Sequence, residues 1–200
     1  MSDWKDKRIE AINRIVERKN LTCSPDSPYF DEVIDIYKSE ESSVIADAHY
    51  LPYKNNFFNF VIIQAVLEHV AFPQIVVNEI HRVLKNNGIV YSEIPFLQNV
   101  HEGPFDFTRF THSGHRLLFR NFSEIKSGSH QGSFSALLFI ASNTISSFTR
   151  IKILGPIIRL LFSRIIRFLD NLVARKDNID IACGTYLICS KKLAKKKSNN

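Results

Sequence analysis

The chain has 200 residues, of which 44% are apolar and 23% charged, an ordinary globular composition that excludes collagen, coiled coil and general disorder. A domain of this size buries roughly 70% of its unfolded surface, enough for a full core. The formal charge of +6 is mostly terminal: Lys191 to Asn200 hold five lysines and no acid, which leaves no basic face elsewhere and excludes a nucleic-acid footprint.

Ile9, Ile12, Ile15 and Val16 recur at helical spacing, so residues 3–18 read as an amphipathic helix. Short apolar runs follow at Val33–Ile36, Ser43–Ala46, Phe58–Gln64 and Gly88–Ile94, separated by turn residues such as Lys54-Asn55-Asn56 and Asn86-Asn87-Gly88. Val61-Ile62-Ile63 does not alternate with polar residues, the pattern of a strand covered on both faces. Pro73 to Leu84 places Ile75, Val76, Ile80, Val83 and Leu84 on one side of a helix, with Lys85 in its last turn and Gly88 just beyond. From Gly128 to Arg175 the chain reads as apolar helix. Ile157 to Val173 leaves a narrow polar stripe of Arg159, Ser163, Arg167 and Asn171, which suits either a helix packed on the sheet or on a dimer mate, or a basic amphipathic helix on a membrane surface through 156–175. Cys183 to Lys191 reads as a last strand closing the sheet at its edge.

Strands alternating with helices predict an α/β sheet whose ligands bind at the carboxyl ends of the strands. Asp35 ends the first strand, where a carboxylate accepts ribose hydroxyls, and Asp47-Ala48 follows the second. Gln64 runs into Ala65-Val66-Leu67-Glu68-His69-Val70, and Glu93-Ile94-Pro95-Phe96 leads to His101, Asp106 and Arg109.

Taken in order, these stretches resemble the class I S-adenosylmethionine-dependent methyltransferases. The resemblance rests on Ile34-Asp35-Ile36, Ala46-Asp47-Ala48 with Leu51-Pro52-Tyr53, Phe58-Asn59-Phe60-Val61, Val66-Leu67-Glu68-His69-Val70, Glu79-Ile80-His81-Arg82-Val83-Leu84-Lys85 and Ile94-Pro95-Phe96. It implies a Rossmann-like, mostly parallel sheet with helices on both faces and an antiparallel C-terminal strand. It further implies S-adenosylmethionine as cofactor, with Asp35 on its ribose, Asp47 and Ala48 at its adenine, and Gln64, Leu67 and Glu68 toward its methionine and the substrate. The stretch His101 to Thr111 resembles a subgroup found in bacterial cell-surface polysaccharide and lipid assembly, which implies a small-molecule or glycan acceptor. A hydroxyl acceptor needs its proton removed, a task for His101 or His69, with Asp106 and Arg109 orienting the acceptor; the alternative is a plain Asp106–Arg109 loop ion pair.

One departure stands out. The family cradles its cofactor on a glycine-rich turn, expected near Leu21 to Tyr29, yet no glycine precedes Gly88. Either the amino-terminal part of the domain is eroded or missing, or the cofactor binds weakly or not at all and the chain is a catalytically inactive binding or scaffold protein. The expected organisation is one methyltransferase-like domain over 1–190 with a helical insertion at 133–176, then a disordered lysine tail over 191–200. Cys23, Cys183 and Cys189 are odd in number and widely spaced, so a reducing, cytoplasmic setting is expected, and no secretory leader is read at Met1 to Asp6. His49, His81, His112, His115 and His130 fall at no metal-ligand spacing, so no metal is expected.

Overall fold

A computed structural model describes residues 34–35, 44–101, 103–173 and 179–192. The chain forms two compact units, residues 1–48 and 49–200. In the first, β1 (Ile34–Asp35) pairs in parallel with β2 (Val44–Ile45). The helix expected over 3–18 and the turn expected near 21–29 lie outside the described residues.

The second unit is a four-stranded sheet in the order β3-β4-β6-β5, formed by β3 (Phe58–Gln64), β4 (Leu84–Pro95), β5 (Phe122–Gln131) and β6 (Gly184–Lys191). β3 and β4 run parallel, and β6 is antiparallel to both β4 and β5, so three of the four strands share a direction. This is the mostly parallel, Rossmann-like α/β architecture with an antiparallel C-terminal strand. The terminal strand is nevertheless not the edge strand expected from sequence: it hydrogen-bonds on both sides, and β5 takes the edge. β5 itself corrects a second expectation, since the chain stays extended through Gln131 rather than turning helical at Gly128.

Helix α1 (Pro73–Val83) begins with proline near its first turn and buries Val76, Val77, Ile80 and Val83. It ends one residue early, because Leu84 is already extended and enters β4. Helix α2 (His112–Leu118) is capped by Thr111, whose Oγ1 accepts from Gly114 N–H at 3.1 Å. The crossovers β3-α1-β4 and β4-α2-β5 advance in one direction across the sheet, and right-handed connections therefore put both helices on one face. There Gln74 of α1 bonds Leu118 O and accepts from Arg120. The strand covered on both faces is β4, buried throughout from Gly88 to Pro95. β3, for which that property was expected, is an edge of this sheet with Ile62 49% exposed.

Helices α3 (Ser133–Thr149) and α4 (Leu154–Val173) form a hairpin between β5 and β6. Asp170 of α4 caps α3, accepting from the Phe134 N–H at 2.9 Å and the Ser135 N–H at 3.2 Å. Arg159 of α4 donates to Ser142 Oγ and Asn143 Oδ1 of α3 and stacks over Phe139. The polar stripe of α4 thus contributes to the hairpin's own seam, and the apolar residues Leu160, Leu161, Ile165 and Phe168 are left exposed. This arrangement excludes the reading in which the apolar face of α4 packs on the sheet. No described helix is long and apolar enough to cross a membrane. Lys191, first of the tail lysines, belongs to β6 and donates to Leu84 O at 2.7 Å; residues 193–200 lie outside the described residues.

Candidate active site

In the first unit, Asp35 is the last residue of β1 and Asp47 lies two residues past β2. The two strands are adjacent and parallel, so both positions fall at the carboxyl end of the same ladder, where α/β sheets bind ligands. Asp47 is exposed and Ala48 half-buried.

In the second unit, the candidate residues gather beyond the carboxyl ends of β3 and β4. Ala65 follows β3 with φ 52°, left-handed backbone that costs a side-chain-bearing residue on the order of 1 kcal/mol. Its N–H is tied to Glu93 O of β4 at 3.0 Å, which fixes the sharp exit from the strand. The following turn seats Leu67 in the core and directs Glu68 into the protein with its side chain fully buried. The Glu68 backbone carbonyl accepts from the N–H groups of Phe107 and Thr108, joining this turn to the loop after β4.

Glu68, His69 and His101 converge. His69 Nε2 lies 3.2 Å from His101 Nε2, and the two atoms stand 3.7 and 3.9 Å from Glu68 Oε1. Both carboxylate oxygens of Glu68 lack a hydrogen-bond partner. Burial pushes the Glu68 carboxyl above its ordinary value, against the lowering influence of its own backbone, both histidines and Arg109. Each imidazole is oriented from behind: His69 Nδ1 lies 2.9 Å from Phe105 O, and His101 Nδ1 lies 3.2 Å from Asn99 O. A carbonyl only accepts, so His69 Nδ1 carries the proton and its Nε2 presents a lone pair toward His101 and Glu68; His101 Nδ1 faces both Asn99 O and, at 3.4 Å, the donating Arg109 Nη2, so either of its nitrogens can hold the proton.

Asp106 and Arg109 form a two-pronged ion pair beside this cluster. Asp106 also accepts from the His101 N–H at 2.8 Å, and Arg109 donates to Asn99 O at 2.9 Å. The Arg109 guanidinium holds the Asp106 carboxyl down to about 2. The loop ion pair read as an alternative from sequence is therefore present, and it braces the backbone that carries His101.

Gln64 stands apart from this group. Its amide donates at 3.5 Å to Glu93, a buried carboxylate of β4 that also accepts from Tyr91 Oη at 2.7 Å and pairs with His130 Nε2 at 2.8 Å. The pairing of Glu93 with His130 was not read from sequence: 37 residues separate them, and only the β4-β6-β5 pairing brings them together. Cys183 and Cys189 are buried, and burial pushes both thiols up to about 12, which suits core residues rather than nucleophiles.

The profile of the methyltransferase domain family matches residues 10–92, from the region before β1 into β4. Over this stretch the chain is similar to that family. The domain is 38% identical over 72 residues to an uncharacterised protein of Methanocaldococcus jannaschii, covering 34% of this chain and 32% of the relative, so the chain spans about a third of that relative's length. Among solved structures it is similar to a methyltransferase of Thermotoga maritima, with a TM-score of 0.47 and 13% identity over 76% of this chain and 65% of that one. It is also similar to a structure of the Haloferax volcanii Trm112 methyltransferase activator with a methyltransferase, with a TM-score of 0.46 and 15% identity over 78% and 65% of the two chains. The match takes in residues 21–29, where the glycine-rich turn was expected and where the sequence has no glycine.

Proposed function

We propose that the chain is an S-adenosylmethionine-dependent methyltransferase acting on the hydroxyl of a sugar, a lipid-linked saccharide or another small hydroxylated metabolite. The observation that carries this reading is the pair of imidazole Nε2 atoms, 3.2 Å apart, which can pass a proton between them at the solvent-open edge of the cluster. The bound cofactor would supply an electrophilic methyl group; the chain's own task is to align the acceptor, exclude water and remove one proton. His101, the more exposed of the two, takes that proton, and His69 stabilises the resulting imidazolium through the Nε2 contact. Asp106 and Arg109 hold the His101 backbone and orient the acceptor. For the cofactor, Asp35 is assigned to the ribose and Asp47 with Ala48 to the adenine. Gln64, Leu67 and Glu68 are assigned to the methionine side, Leu67 through its backbone because its side chain is buried.

The acceptor's lipid class is favoured by the α3–α4 hairpin. The last turn of α3 carries Phe148, 90% exposed, and the connection that follows carries Ile151 and Ile153 beside Arg150 and Lys152. Across 133–173 there are five basic residues and one acid, and that acid, Asp170, is engaged as the α3 cap. A basic helical surface with an exposed apolar face suits an anionic membrane surface. Sedimentation with phosphatidylglycerol vesicles tests this: binding lost in Phe148→Ser/Ile151→Ser supports it, and a dimer in light scattering with no vesicle binding refutes it.

Calorimetric titration with S-adenosylmethionine tests the main reading. A dissociation constant tighter than about 100 μM, or about −5.5 kcal/mol, supports the enzyme. A silent titration supports the alternative, a catalytically inactive binding or scaffold protein that keeps the fold. Turnover unchanged in His101→Ala would remove that residue's role.

A further inference from the structure

Glu68, His69 and His101 satisfy the requirements of a metal-binding site. Two imidazole nitrogens and one carboxylate oxygen form a triangle with sides of 3.2, 3.7 and 3.9 Å. The point equidistant from its corners lies about 2.1 Å from each, within the usual range for zinc–nitrogen and zinc–oxygen bonds. The two contacts to Glu68 are too long for hydrogen bonds, so the histidines leave the fully buried carboxylate without a side-chain donor. Such a group is costly in a protein interior unless a cation meets it.

The surroundings fit the same purpose. Both imidazoles are held by carbonyls at Nδ1, the outer support that metal-ligating histidines use to fix the tautomer and aim Nε2. Asp106 lies 3.5 Å from His101 Nδ1 and accepts from the His101 backbone N–H. Arg109 is held in its ion pair with Asp106 and is the smallest of the charges that act on Glu68. One edge is open to solvent, with the His101 side chain 41% exposed, so an ion there would keep an exchangeable position.

We propose that Glu68 Oε1, His69 Nε2 and His101 Nε2 bind one divalent first-row transition-metal ion of the zinc class, with its open coordination position facing solvent. The nitrogen-rich donor set favours such an ion over magnesium or calcium. This deepens the methyltransferase reading and rests on it for its role: an acceptor hydroxyl bound to the ion would have its pKa lowered and release its proton to water at the solvent-open edge, the histidines then acting as ligands in place of the base role given above.

Titration of the tag-free full chain with Zn²⁺, and with Co²⁺ for its visible absorption, tests the site directly. The expected result is one ion per chain. In His101→Ala, a change at an exposed position, and in Glu68→Gln, affinity should fall by more than the roughly 10–100-fold that loss of an outer hydrogen-bonded partner costs. No saturable uptake by the unaltered chain, or equal uptake by both variants, would overturn the site. The S-adenosylmethionine titration fails independently: an ion bound with no cofactor binding keeps the metal site and removes the methyltransferase role.

Discussion

His115 offers a prediction whose size follows from its surroundings. The side chain is fully buried, with Nε2 2.9 Å from Ser92 Oγ of β4 and Nδ1 3.1 Å from Thr185 Oγ1 of β6. It joins α2 to the two central strands and packs edge-on against Phe119 at 5.4 Å. Burial, with a smaller contribution from His112, pulls its pKa from 6.5 to about 3. The folded protein therefore keeps this imidazole neutral where the unfolded chain would protonate it. The contribution is complete above 6.5 and is lost as pH falls through that value toward about 3. Between about pH 7.5 and about pH 5.0 this single group removes about 2 kcal/mol of stability. The perturbation is His115→Gln, which keeps polar ends but does not titrate. At neutral pH the variant should be less stable by about 1–3 kcal/mol, because its amide cannot reproduce both hydroxyl contacts. By about pH 5.0 the gap should close by about 2 kcal/mol, as read from urea unfolding of both proteins at the two pH values. All other titrating groups are common to the pair, so the difference isolates His115. A gap that stays the same at both pH values refutes the reasoning.

Three further outcomes follow from the packing. Glu79 is held below its ordinary value by Arg82 and accepts from the Leu51 N–H, while Arg82 reaches Leu51 O and Tyr53 O, so the pair pins the 51–55 loop to α1. Glu79→Gln should cost about 1–3 kcal/mol at neutral pH, and the difference should shrink as acid protonates Glu79, measured by denaturant unfolding. Gly184→Ala sets a Cβ 2.8 Å from the backbone oxygen of Ile94 in the neighbouring strand, and thermal unfolding should register a loss of about 1–3 kcal/mol. In a Cys23→Ser background, Cys183 and Cys189 should resist Ellman's reagent until denaturant is added; rapid labelling of the native protein would contradict their burial.

The elements legible in the sequence were those with dense apolar content. Phe58–Gln64, Pro73–Val83 and Gly184–Lys191 announced themselves by apolar runs, by a proline at a helix start and by spacing. β5 did not. Its sequence, Phe-Ser-Glu-Ile-Lys-Ser-Gly-Ser-His-Gln, is polar because an edge strand needs little apolar surface, and its two register shifts against β6 blur the alternation further. The orientation of α4 was ambiguous for another reason: periodicity reveals that a helix has two faces, not which of them meets its neighbour. For the candidate site, the sequence supplied the residue types after each strand. It did not reveal that Glu68 and His101, 33 residues apart, meet at one point, and the expectation of no metal weighed only the other five histidines.

The position of β6 bears on how the molecule is made. The two strands it joins are both synthesised earlier, yet neither pairs with the other, and each keeps an unbonded side until the segment beginning at Gly184 arrives. A nascent chain halted before that point would present two adhesive rims at once, the condition under which strands recruit foreign partners. Completion of the sheet is thus deferred until β6 has been made, and dependence on chaperones should be greatest during that interval.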